Sequence, residues 1–545
     1  MKIPKPSKDR FWCIILPSIM FALATVIGRT MDKYNLFYGI KACRREYAAT
    51  FLGSGLIFFV LAYLLFGYIE NSKPAKKSSS EILSFLFDRK PFLIPFCAFI
   101  ISWIPYLICY PGSPCGDFWS QIFQSFGVIP LDNNYPLFST LVYGAVMKFG
   151  KAVGSDNIAV FILTVSQTIM MASLFAWIIY LLRKIPHPAR LVLFLIFAFS
   201  PSVALYTIYV AKDIVYAFWI AVFTVFLFLM IRNGRLTRPE TTGFLIASAM
   251  CILWRNNGIH TLVHTLFVML FVKSVSRKQV AASFITVLVV YFAIHKVVMP
   301  AYNIPEGSIT EMLSLPFQQT ARTVKYHGKK IPNDEREIID KILDYDNLAE
   351  NYCPYRADGV KGEPMKVGSQ KQPTSKELKS YLRVWFKQTR KYPSTAFAAT
   401  ANNTYAYFAP GKKKKANLHK LLVTSPEIRM EHYDIDRNKY SSNFTLPDNS
   451  IYAKTVSYLP KVNGETFILR NFTGVSFFTW LMIAACFFMI KRRAYKYLLV
   501  ALPSLITLLV CIASPVNGES RYALSYMFCA PFLLGICFLP NDKDE

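Results

Sequence analysis

The chain has 545 residues, 53% of them hydrophobic and 15% aromatic, with a formal net charge of +28 and a mean hydropathy of +0.32. Its apolar residues come in long runs rather than alternations, which excludes an ordinary soluble globular protein and indicates a polytopic membrane protein. Lys and Arg gather at the ends of those runs, where membrane topology and anionic headgroups account for them, so the positive charge does not point to nucleic acid.

The eleven cysteines contain no CxxC pair and lie mostly in apolar runs, against a disulfide framework or zinc ribbon. Lys2, Lys5, Lys8 and Arg10 precede the first apolar run in the manner of a signal peptide; because many runs follow, a retained first helix is expected. A span needs roughly 20 apolar residues. The stretches that read as spans are Phe11–Gly28, Ala48–Tyr68, Pro91–Cys109, Ile158–Leu182, Leu191–Tyr209, Ile214–Ile231, Pro239–Trp254, Gly258–Val272, Val280–Met299, Gly474–Ile490, Tyr495–Ala513 and Tyr522–Leu539. That gives an all-α transmembrane bundle of twelve spans, with both termini on one side.

Positive clusters at Arg183/Lys184/Arg190, Arg232/Arg235/Arg238, Lys273/Arg277/Lys278 and Lys491/Arg492/Arg493/Lys496 then share a face, which the positive-inside rule makes cytoplasmic. The loop with Arg29, Lys33, Lys41, Arg44 and Arg45 runs against that rule. Residues 1–90 read as two N-terminal helices and a cytoplasmic loop, and 91–299 as a transmembrane core with a first external loop at 110–157. Residues 300–472 read as an extracytoplasmic mixed polar domain, and 473–545 as the C-terminal helices. The domain contains a helix at Leu378–Thr389, an exposed loop at Gly359–Ser375 and the basic cluster Lys412–Lys415.

The stretch Tyr110–Gly144 gathers most of the chemistry. Pro111, Gly112, Pro114 and Gly116 stop the preceding helix. A short aromatic-rich helix from Asp117 would lie in the interfacial plane, with Asp117, Gln121 and Gln124 on one face. Asp117 reads as a general base or metal ligand, or as a helix-capping carboxylate. Lys212-Asp213 reads as a local ion pair or, with Asp117, as a cradle for a divalent cation (magnesium or manganese) or a substrate hydroxyl. Arg255 and Arg521 suit phosphate, or anchor to headgroups. Asn256 stands beside Arg255, while Gln318, Gln319 and Arg322 follow a proline and would line a cavity roof. His260 and His264 have zinc-compatible spacing without a third ligand, so helix packing is the expectation. On the twelve-span count, all the unusual polar residues of the connections fall on the external face.

The run YPG…D…Q followed by P-L-x-x-T resembles the first external loop of GT-C superfamily glycosyltransferases. The KD turn at Lys212, RNNG at Arg255, LPFQQTAR, NTYAYF and SPVNGESRY resemble an uncharacterised bacterial family of GT-C-like membrane proteins. The resemblance runs from Pro91 to Leu539 and leaves the first two helices as an addition. It implies a multi-pass protein of the bacterial plasma membrane that moves a hexosyl or pentosyl group from a polyprenyl-phosphate donor to a glycan, glycolipid or protein acceptor of the envelope. It makes Asp117 the catalytic carboxylate and Asp213 the second acidic position. Some relatives have His before the proline where this chain has Tyr135-Pro136, so no role of that His carries over. A transporter or flippase for a lipid-linked saccharide and a non-catalytic assembly protein are the rival readings.

Overall fold

The computed structural model describes residues 5–73, 80–361, 373–411, 424–445 and 474–539. The run Lys412–Lys415 and most of the loop expected at Gly359–Ser375 lie outside them. The fold is mostly helical (75%). It begins with α1 (Trp12–Tyr34), α2 (Arg44–Asn71), α3 (Leu93–Leu107), strand β1 (Ser113–Pro114), α4 (Gly116–Ser125), α5 (Leu137–Ala152), α6 (Asp156–Leu181) and α7 (His187–Phe199). Strand β2 (Tyr209–Val210), α8 (Lys212–Asn233), α9 (Arg238–Trp254), α10 (Gly258–Leu270) and α11 (Arg277–Phe292) follow. The more polar part contributes α12 (Ser314–His327), α13 (Ser375–Lys391), α14 (Pro393–Thr404) and α15 (Pro426–His432), and the chain ends with α16 (Val475–Lys491), α17 (Leu502–Ile512) and α18 (Ser520–Ile536).

Each apolar stretch is helical, but the expected twelve spans are corrected to fewer. Among the described residues six helices are long and apolar enough to cross a membrane, or eight if two bent pairs each count as one span. Helices α9, α16 and α18 have 17 residues and α10 has 13. At about 1.5 Å per residue, 17 residues reach roughly 25 Å, short of a ~30 Å hydrocarbon core. A count that loses four members no longer decides which connections share a side; direct contacts between side chains do. Six to eight apolar helices make this a multi-pass integral membrane protein.

Helix α8 is the centre of the bundle, with 89% of its apolar window buried, whereas that of α2 is only 17% buried. Leu52, Leu56 and Ile57 of α2 and Ile285 and Val289 of α11 are exposed, as side chains facing lipid would be. The segment Glu81–Arg89 turns 110° from α3 and is tied to α7 where Asp88 meets His187 at 2.9 Å and Arg190 at 3.3 Å.

The stretch expected as one polar domain is divided among several cores, one of which packs Ala398, Ala401 and Tyr405 against Met31 of α1. Phe317, Ile339, Leu343, Leu348, Tyr381 and Val384 build a separate hydrophobic core around α12 and α13. Met430, Tyr440 and Phe444, by contrast, join the main core of the bundle. Helix α13 covers Ser375–Lys391, the helix expected from Leu378. Its Thr374 and Glu377 form a reciprocal capping box that satisfies the first free N–H groups. The short helix expected from Asp117 is α4, but it does not lie flat on lipid. Phe118, Trp119, Ile122 and Phe123 are all fully buried. Aromatic side chains surround the helix, so it finds neighbours on every side rather than one apolar medium.

Candidate functional site

Four residues of backbone pairing organise the site. Strand β1 runs parallel to β2, with Ser113 opposite Tyr209 and Pro114 opposite Val210. Ser113 N–H donates to the Ile208 carbonyl at 2.8 Å. Gln167 of α6 donates to the Thr207 carbonyl at 2.7 Å and the Tyr209 carbonyl at 3.0 Å, while the Thr164 hydroxyl donates to the Pro111 carbonyl at 3.0 Å. A long helix thus clips together two turns that are remote in sequence. Gly112 has φ +116°, and a Cβ there would meet Thr164 Oγ1 at 2.2 Å, so only glycine fits this close approach. The strands feed directly into α4 and α8, whose first turns carry Asp117 and Lys212-Asp213.

The register brings Lys212 to Asp117. Lys212 Nζ donates to Asp117 Oδ2 at 2.9 Å, and Arg521 Nη1, from the first turn of α18, donates to the same oxygen at 3.0 Å. Arg521 Nε stands 3.9 Å from Glu519 Oε1. Beside this triad Arg255 Nη1 meets Asp213 Oδ1 at 2.7 Å, with the Asp213 side chain only 2% exposed. The Arg255 guanidinium also sits 5.0 Å over the Tyr522 ring and 5.6 Å over that of Tyr216. Burial by itself would raise the Asp117 carboxyl, but Lys212 and Arg521 outweigh it and hold the group far below the usual carboxylate range.

Asp117, Lys212, Asp213, Arg255 and Arg521 are therefore one cluster. The other candidate residues are distributed differently. Gln121 donates to Ser139 at 2.7 Å and Thr140 at 3.1 Å, pinning α4 to α5. Asn256 donates to the Asn133 carbonyl at 2.8 Å and so fixes the loop before α5. Gln318 donates to the Cys353 carbonyl, Gln319 to Thr400, and Arg322 to Tyr352 and to the Asn35 carbonyl. Those three residues, each nine-tenths or more buried, hold the second core together and tie it to the end of α1. His264 bonds to the carbonyl of His260 within its own helix. Among the described residues no three His, Cys, Asp or Glu side chains are grouped so as to hold a metal ion. A divalent cation between Asp117 and Asp213 would find both carboxylates already facing cations, so the arrangement does not fit one.

Arg429 is the functional candidate that sequence reasoning missed. The strap from Thr424 to Thr445 crosses α4: Trp119 donates to the Thr424 carbonyl at 2.5 Å, and Phe444 packs edge-on against the Trp119 ring. At its far end the strap meets Asp156, the first residue of α6, which accepts from the Ser442 hydroxyl at 2.8 Å. From α15 on this strap Arg429 Nε donates to Ser120 at 2.8 Å, and Nη2 to Tyr433 at 2.9 Å and Tyr135 at 3.4 Å. Tyr135 is thus in the site, with Lys212 Nζ 4.9 Å from its ring centre. The Ser425-Pro426 start of a helix is legible in the sequence, but nothing local says that this helix packs on α4.

No curated protein and no solved structure matches this chain. The sequence profile of a family of unknown function matches residues 129–543; that stretch contains Lys212, Asp213, Arg255, Arg429 and Arg521 and begins after Asp117. The match supplies neither an activity nor a GT-C assignment, and the chain belongs to this family of unknown function, DUF6020.

Proposed function

We propose that the protein is a membrane glycosyltransferase that moves a sugar from a polyprenyl-phosphate donor to an envelope acceptor, with Asp117 as the group that receives the acceptor's proton. The observation that carries this reading is a carboxylate shared by two cations at the start of a candidate span. Lys212 is the first residue of α8, so the Asp117–Lys212–Arg521 triad stands at the end of a candidate membrane helix. A donor whose lipid lies in the bilayer presents its phosphate at that depth.

In the proposed reaction the bond between the sugar's anomeric carbon and the donor phosphate oxygen breaks, and a bond to the acceptor hydroxyl oxygen forms. The hydroxyl proton passes to Asp117, and the negative charge stays on the departing lipid phosphate. Lys212, Arg521 and Arg255 are the cations available to stabilise that charge. Asp117 is a weak base while both cations hold Oδ2. An incoming phosphate shares Lys212 and Arg521, which loosens their hold on the carboxylate. The acceptor hydroxyl itself becomes acidic only as its new bond forms, so a weak base in contact suffices.

The test is transfer by the purified protein in nanodiscs from short prenyl-phosphate sugars, guided by comparison of envelope glycans from cells with and without it. An Asp117-dependent glycan that disappears with the protein is expected. Unchanged glycans together with no turnover of any prenyl-phosphate sugar would overturn the reading.

A further inference from the structure

We infer that the acceptor is an anionic saccharide, and that Arg429 with the hydroxyls of Tyr433, Tyr135 and Ser120 receives its oxyanion; this rests on the transfer reading above. Lys212, Arg255, Arg429 and Arg521 face Asp117, Asp213 and Glu519, four cations against three carboxylates. Lys212, Arg255 and Arg521 each have a carboxylate within ion-pair distance. Among the described residues Arg429 has none, and its hydrogen bonds go to neutral hydroxyls. Asp117 acts on this half-buried guanidinium only through space, so its donors give up no ion pair to meet an incoming anion, and Tyr433 and Tyr135 can turn their O–H groups to donate to the same anion.

Position then separates this subsite from the donor's. Lys212 and Arg521 belong to the first turns of apolar helices α8 and α18. Arg429 approaches from the strap, and its Tyr433 neighbour is 38% exposed. The guanidinium lies close over the start of α4, where a Cβ on Gly116 would be in ordinary contact with Nη1 at 3.5 Å. Asp117 thus stands between cations at the starts of α8 and α18 and a cation on the strap. The first suits a phosphate that arrives in the bilayer. The second suits a charged group near the hydroxyl of a substrate that arrives from water.

The test compares one polymer in three charge states: neutral dextran, carboxymethyl dextran and dextran phosphate, binding to the full chain in nanodiscs of zwitterionic lipid. Both charged forms are expected to bind at least about tenfold more tightly than neutral dextran, a difference of about 1.4 kcal/mol. Arg429→Gln should remove most of the difference and Arg429→Lys part of it. Arg437→Gln, at an exposed position of the same strap, should leave it intact. If Arg429→Gln does not fold, Tyr433→Phe keeps the charge and removes one hydroxyl, and a several-fold loss is expected. Equal binding of neutral and charged dextran would overturn the inference. So would full binding by Arg429→Gln, or an equal loss in Arg437→Gln, which would assign binding to the chain's general positive charge. Farnesyl phosphate binding that collapses in Arg429→Gln while charged dextran binding survives would move Arg429 to the donor. Arg429-dependent dextran binding without sugar transfer supports the subsite and counts against the reaction alone.

Discussion

Arg521 Nη1 donates to Asp117 Oδ2 at 3.0 Å across 404 positions of sequence. One bond joins the first polar loop after α3 to the last helix of the chain, and the oxygen it uses is the one that also accepts from Lys212. The triad is therefore an assembly of helix starts, each carrying a charge whose partner belongs to a different element.

Asp117→Asn is expected to reduce transfer by a factor of about 100 or more, the usual contribution of a positioned proton acceptor. It also leaves Lys212 and Arg521 without their shared carboxylate, at a cost of about 1–3 kcal/mol of stability. The ion pair is fully present above the unfolded carboxyl's value of about 3.9 and is lost only as pH falls through the much lower folded value. Activity and thermal unfolding measured together check this; normal transfer by a folded Asp117→Asn protein would remove Asp117 from the chemistry.

The Arg255–Asp213 pair is the most buried of the cluster, with side chains 14% and 2% exposed. Arg255→Met leaves a buried carboxylate unpaired and is expected to cost about 3–5 kcal/mol. Adding Asp213→Asn removes that charge, so the double variant should recover much of the loss. A double variant no more stable than Arg255→Met would show that the two side chains act separately.

Gly112→Ala tests the strand register. The new methyl would collide with Thr164 Oγ1, and the backbone is in a region unfavourable for an L side chain. A loss of at least about 1–3 kcal/mol is expected, together with loss of Asp117-dependent activity, because the turn that sets Asp117 beside Lys212 must move. Unaltered melting and activity would mean that the register does not position the triad.

Glu519 has the opposite pH behaviour from Asp117. Burial raises its carboxyl, and Arg521 offsets this only in part. A raised carboxyl contributes most favourably below its unfolded value, and that contribution is lost as pH rises through the folded value. Glu519→Gln should therefore gain thermal stability relative to the natural chain as pH rises above the unfolded carboxyl's value of about 4.3. Melting curves across that range decide it: a difference constant with pH would show that the Glu519 charge is not what burial penalises.

Cysteine labelling settles the sides. In a background with Cys43, Cys97, Cys353 and Cys486 replaced, the thiols that are not fully buried, single cysteines at exposed Arg437 and Lys330 should react with an impermeant reagent in intact cells. A cysteine at Arg235, between α8 and α9, should not. Reaction at Arg235 with none at Arg437 would invert the topology.

The amino-acid sequence by itself determined the local features. Apolar runs made every expected helix, because a run of that length satisfies its own backbone polar groups only as a helix. Pro111, Gly112 and Pro114 ended α3, and α4 starts at Gly116, one residue before the expected Asp117. Asp117, Lys212, Asp213, Arg255 and Arg521 could be picked out because they stand apart from the positive clusters that membrane topology accounts for. Twelve apolar runs exceed the spans because apolar length does not set where a helix ends, and α9, α10, α16 and α18 are too short. Only the tertiary structure decided which charges meet. The pairing of Ser113 with Tyr209 joins two turns through backbone groups that every residue has, so no side-chain pattern announces it. For the same reason Gln318, Gln319 and Arg322 read like Arg255 in sequence, yet turn into a separate core. Arg429, unnoticed on a seven-residue helix, is carried by the strap to the edge of the triad. Asp117 was recognisable as a charge out of place; its two cations were not, since they reach it from the starts of α8 and α18.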